Sequence, residues 1–140
     1  PLLEMAPSLP SGPPAWSPAR VPAIDRLINT AEFFVHHEDV RRASPAWSPR
    51  ELDDDLVTDL HAALGRAAPL LTRKSPVGIV LAPDDSRSSI TAKQATPSIT
   101  VRGPVGELVL WIFGRQAHAM VAYDGPDDAV ATARNTSFGL

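Results

Sequence analysis

Glu32 and His36 are four residues apart within Thr30-Ala31-Glu32-Phe33-Phe34-Val35-His36-His37-Glu38-Asp39, and on a helix that spacing stacks a carboxylate and an imidazole on one face. Such a pair can hold a divalent cation from two sides, or simply hydrogen-bond along the helix surface. The rest of the chain is chemically quiet: it has no cysteine, no glycine-rich phosphate loop and no nucleophile beside an obvious base. A catalytic zinc site needs three protein donors and an open position, where the metal acidifies a bound water or thiol. Glu32 and His36 therefore define a partial metal site. Asp39, three residues past His36, is spaced to orient its ring. His37 points about 100° away from His36 around the helix and reads as a surface residue. Glu38 and Arg42 read as an i, i+4 pair on a solvated face. Asp84-Asp85-Ser86 lacks the glycine and distal glutamate of an EF-hand loop, which removes calcium of that kind.

The elements that position these groups follow from periodicity and punctuation. Val21-Pro22-Ala23-Ile24-Asp25 starts a helix, with proline at the first position and an acid in the first turn, expected to run to about Ala43. Ile24, Leu27, Ile28, Ala31, Val35 and Glu38 form one stripe at helical spacing. Asn29, Glu32, Phe33, His36 and Val40 form a second stripe beside it, which predicts two partners, or a partner and a cavity. Ser48-Pro49-Arg50-Glu51 predicts a second helix capped by Ser48, with Glu51 closing a capping box. Its apolar face is Leu52, Leu56, Leu60, Ala63, Leu64 and Ala67, and Pro69 is expected to kink or end it.

From Ser75 the period changes to two. Val77 to Ala82 reads as a buried strand, Ser88 to Lys93 as its hairpin return, and Ser98 to Arg102 as a third strand. Val105 to Arg115 is apolar nearly all round and is taken as a buried helix stopped by Gly114. Ala117 to Tyr123 is expected as a fourth strand, and Pro126 to Ala131 as the opening of a last helix. Two helices followed by strands make the fold class α+β. The divisions are a proline-rich arm, 1–22, a helical part, 23–74, and a small α+β unit, 75–140.

Composition bounds the function. The chain has 140 residues, 44% of them hydrophobic, and a net charge of −3, enough for one ordinary domain or two small ones. Scattered basic residues on an acidic chain give no nucleic-acid footprint. The longest apolar runs fall far short of the roughly 20 residues of a membrane span. Absence of cysteine fits a cytoplasmic location. Seven of the fifteen prolines lie in the first 22 residues, so this stretch reads as a linker-like interior segment of a longer protein. Pro14-Ala15-Trp16-Ser17-Pro18 nearly duplicates Pro45-Ala46-Trp47-Ser48-Pro49, the same tryptophan-anchored helix-start turn used twice. Trp16, Trp47 and Trp111 read as packing anchors.

Taken together, the Glu32-x-x-x-His36 helix, the Trp47-Ser48-Pro49-Arg50 turn, the Thr100-Val101-Arg102-Gly103-Pro104 strand end and the Gly106-Glu107-Leu108 to Gly114-Arg115 segment resemble the actinobacterial DinB-like metal-binding proteins related to mycothiol-dependent maleylpyruvate isomerase. The resemblance runs from about Pro13 to Leu140. It implies a helical bundle that holds zinc or another divalent metal, followed by a smaller, sterol-carrier-like α+β domain. Glu32 and His36 would be two ligands. Arg115 would be the arginine brought to the active site from the C-terminal domain, where a guanidinium holds a substrate carboxylate. Mycothiol would supply the thiol. The family's third ligand, a histidine on an earlier helix, has no counterpart, since every histidine here is at 36, 37, 61 or 118. The chain thus looks like the C-terminal two-thirds of such a protein. The other reading is a noncatalytic binding module, whose uncovered bundle face requires a second copy, a missing N-terminal segment or an apolar ligand.

Overall fold

The computed structural model describes residues 22–138, and residues 1–21 of the proline-rich arm, with Trp16, lie outside them. Helix α1 spans Pro22–Arg42 and α2 Asp54–Leu71; then come strands β1 (Gly78–Pro83), β2 (Ile90–Lys93) and β3 (Ser98–Gly103), helix α3 (Val105–Ile112), strand β4 (Ala122–Asp124) and helix α4 (Asp127–Asn135). The fold is α+β, as the change of period at Ser75 predicts.

The four strands form one sheet in the order β2-β1-β3-β4. β1 pairs antiparallel with β2 and parallel with β3, which sets Ile79 beside Ile99 and Leu81 beside Val101. These four side chains are buried and sit at alternate positions of their strands, as one sheet face requires. Helix α3 packs on β1 and β3, α2 on α3 and β2, and α1 on α2 and α3. Every residue of α3 is buried, which explains why its sequence shows no polar face. Trp111 is fully enclosed; its ring lies 5.0 Å from that of Phe138, and its indole N–H donates to the Tyr123 hydroxyl at 2.8 Å. Gly114, at φ +92°, ends this helical segment in a conformation that favours glycine.

Predicted boundaries move: α3 ends at Ile112 rather than Arg115 and β2 begins at Ile90 rather than Ser88, and two further shifts have a visible cause. The cap of α2 is Asp53, whose carboxylate accepts the Leu56 N–H at 2.8 Å, and not Ser48. Asp53, Asp54 and Asp55 concentrate negative charge at this helix start. The Ser48 region is held elsewhere, because Arg41 donates to the Ser48 carbonyl at 2.9 Å and Arg50 reaches back to α1. Strand β4 is Ala122–Asp124, which shares only Ala122 and Tyr123 with the expected Ala117–Tyr123. His118 and Ala119 donate their backbone N–H groups to the Arg115 carbonyl, and Met120 donates its own to Glu107, so these donors are unavailable to a sheet ladder.

Candidate functional site

Helix α1 turns its first stripe inward and its second outward. Ala31, Phe34, Val35 and Glu38 are buried, whereas His36 is exposed, Phe33 is 81% exposed and Val40 74% exposed. Among the described residues the second stripe meets no packing partner at Phe33 and Val40, while its Glu32 and His36 border a cavity, as expected of one edge of the stripe. Glu32 and His36 line this hollow of about 280 Å³ together with Val35, Leu71, Phe113, Arg115 and Phe138. The three residues singled out for chemistry thus share one surface depression, although Arg115 is separated from the pair by most of the chain.

Arg115 is positioned from two sides. It follows the Gly114 turn, and its guanidinium grips Asp39 of α1 with Nε 3.1 Å from Oδ1 and Nη2 2.6 Å from Oδ2, while Nη1 donates to the Phe113 carbonyl at 2.6 Å. The hydrogen bond from Arg115 holds the Asp39 carboxyl below its ordinary range, and the same bond raises the arginine. Asp39 is therefore bonded to Arg115 through both oxygens rather than orienting the His36 ring. Three of the five guanidinium N–H groups are engaged, leaving two for another acceptor.

Glu32 and His36 form no side-chain hydrogen bond with any described residue, so both donors are available to an external group. No three histidine, aspartate or glutamate side chains come together among the described residues in a way that could hold a metal ion. Glu32 and His36 are suitable donors for zinc, but a third is missing from this set. His37 lies on the surface with Nδ1 3.5 Å from an Arg50 nitrogen, too long for a strong bond. His118 is exposed and contributes its backbone carbonyl to Arg42.

The second polar constellation was not expected. Glu38, read from sequence as part of a solvated ion pair, is 1% exposed. Its Oε1 accepts from Arg41 at 3.0 Å and Arg42 at 3.1 Å, and its Oε2 from Arg41 at 3.1 Å and Arg50 at 2.8 Å. Arg42 goes on to grip Glu107 of α3 at 2.9 and 2.6 Å, and Glu107 also accepts the Met120 N–H at 2.8 Å. The Arg42 guanidinium lies 4.5 Å from the centre of the Trp47 ring, within cation–π range. Burial pushes the Glu38 carboxyl upward, but the hydrogen bonds from Arg50 and Arg42 and the charge of Arg41 outweigh it, and the group stays ionised below its ordinary range. Glu38 accepts four hydrogen bonds from three arginines and Glu107 accepts three, so both buried carboxylates are well paired. They are suited to holding α1 against α3.

This network lines a cleft of about 550 Å³, whose apolar walls include Phe34, Leu52, Val57, Val105 and Met120. A sequence signal for it existed: Glu38 falls on the inward stripe of α1, and Glu107 lies inside an otherwise apolar run. Among the described residues no helix is long and apolar enough to cross a membrane. Comparison with known proteins finds no matching family, no matching curated protein and no matching solved structure.

Proposed function

We propose that this chain is a divalent-metal-binding protein of the mycothiol-dependent isomerase or transferase type, with a DinB-like helical part followed by a sterol-carrier-like α+β unit, working in a reducing cytoplasm. The observation that carries this reading is the convergence of Glu32, His36 and Arg115 on one hollow. A bound zinc would supply Lewis acidity and a lowered thiol pKa. Glu32 and His36 contribute two donors, and the remainder come from outside the described residues. Arg115, held in orientation by Asp39 and the Phe113 carbonyl, presents its two remaining N–H groups to a substrate carboxylate. The buried walls Val35, Leu71 and Phe138 limit water on one side of the hollow.

The exposure of Phe33 and Val40 favours a second reading, a noncatalytic interaction module whose α1 face packs against another surface. Elemental analysis and zinc titration of the purified chain, with Glu32→Ala and His36→Ala beside it, separate the two. The metal reading requires zinc uptake that both substitutions abolish. Absence of uptake leaves the interaction module.

A further inference from the structure

We infer that the cleft of about 550 Å³ formed by α1, the start of α2, the turn after β1 and α3 binds a small organic cation, an ammonium ion carrying an apolar body. Its volume falls in the range of small-molecule sites, roughly 300–1,000 Å³. None of its lining residues lines the hollow of Glu32, His36 and Arg115, so the inference is independent of the metal-binding reading.

The apolar body is held by Phe34, Leu52, Val57, Val105 and Met120. Around Gly106 this surface is continuous. A Cβ there would lie 3.0 Å from the Phe34 Cζ and 3.1 Å from a Leu52 methyl, so the absent side chain lets the ring and the leucine close onto α3.

Charge selects the occupant. The network residues that line the cleft, Glu38, Arg42, Arg50 and Glu107, are two acids and two bases bonded to one another, and they cancel. Arg41, the further base, is not a lining residue, and its guanidinium is committed to Glu38 and the Ser48 carbonyl. The remaining lining charges are all acidic: Glu51, from the segment leading into α2, and Asp84 and Asp85, from the turn after β1. Asp85 is paired with Arg87 at 2.7 Å, whereas the Glu51 and Asp84 carboxylates make no hydrogen bond or ion pair with any described residue. Arg87 also donates to Asp54 and Thr58 of α2, both at 2.9 Å, which fixes the turn carrying Asp84 against the helix carrying Val57. Two unpaired carboxylates from separate segments beside an apolar wall complement an ammonium group, which has three donors and no acceptor. An anionic ligand would meet the same two groups as like charges.

The test is calorimetric titration of the full chain with octylammonium, beside octanol and octanoate, which keep the chain length and change the head-group charge. Octylammonium is expected to bind at least about tenfold more tightly than either, with affinity rising about threefold to fourfold per methylene across butyl-, hexyl- and octylammonium. Glu51→Gln combined with Asp84→Asn, both at exposed positions, should bring octylammonium down to the level of octanol. Val57→Trp, which fills the apolar wall, should abolish binding of the whole series, with Met120→Trp as the second filling variant if the first melts early. Octanol or octanoate binding as tightly as octylammonium overturns the inference, as does octylammonium binding that the double variant or both filling variants leave unchanged. Absence of binding by the whole series overturns it equally.

Discussion

Arg42 and Glu107, 65 residues apart in sequence, face each other through two hydrogen bonds of 2.9 and 2.6 Å, with the two side chains only 7% and 9% exposed. Paired this closely, they tie the end of α1 to the first turn of α3. Removing Glu107 takes away the bidentate partner of a largely buried guanidinium and leaves it only Glu38 and the His118 carbonyl. Glu107→Ala is expected to lower unfolding free energy by about 3–5 kcal/mol, measured by urea denaturation. Arg42→Lys, which keeps the charge but loses the planar fork, should fall between that variant and the parent.

Asp39 and Arg115 make a bidentate pair of similar length, but the side chains are 40% and 32% exposed. Solvent screening then dominates, and Asp39→Ala is expected to cost no more than about 1 kcal/mol in the same denaturation series. A loss as large as that of Glu107→Ala would show that the pair is shielded in solution.

Acid should weaken the fold through Glu38. Its carboxyl is held below the ordinary value of 4.5 in the folded chain, so the folded state binds fewer protons than the unfolded state as pH falls. The stabilisation is complete above the ordinary value and disappears as pH drops through the lowered one. Thermal unfolding followed from pH 7 downward should show a declining midpoint, and Glu38→Gln should show a lower midpoint near neutrality with a shallower decline.

Two glycines should respond in opposite directions to alanine. Gly65 lies inside α2 with open space where a Cβ would go, so Gly65→Ala should stabilise by about 0.5–1 kcal/mol through helix propensity. At Gly78 the added Cβ runs into the Ala95 carbonyl oxygen and the Ser98 side chain. Gly78→Ala should destabilise, because the obstructing oxygen is backbone and must carry its loop with it. Thermal melts of both variants check the pair.

Tyr123→Phe removes the acceptor of the Trp111 indole N–H, which is fully buried. A cost of about 1–3 kcal/mol is expected for the unsatisfied donor, with an altered Trp111 fluorescence as an independent readout.

The parts legible in sequence are those specified by local pattern. Proline at the start of α1, alternation in β3 and the glycine after α3 each encode an element within a few residues. Glu38 was half legible. Its helical position places it on the inward stripe, but the neighbouring charges Asp39, Arg41 and Arg42 match a solvated face, and the deciding partners are Arg50 and the Arg42–Glu107 link, which only folding brings near. The α2 cap failed for a related reason: Ser48 and Asp53 both satisfy cap chemistry, and long-range contacts of Arg41 and Arg50 decide between them. For the hollow, spacing encodes Glu32 with His36, while the arrival of Arg115 beside them depends on the packing of α3 against α1. The pairing of Arg115 with Asp39 is likewise a tertiary event.

The sheet's outer strands, β2 with four residues and β4 with three, are shorter than the six-residue inner pair β1 and β3. Short borders offer few free backbone groups to an incoming strand. Lys93 on β2 further anchors its ammonium to the Arg73 carbonyl at 2.7 Å, tying that border to the end of α2. Among the described residues the sheet therefore offers only short borders for another polypeptide to extend.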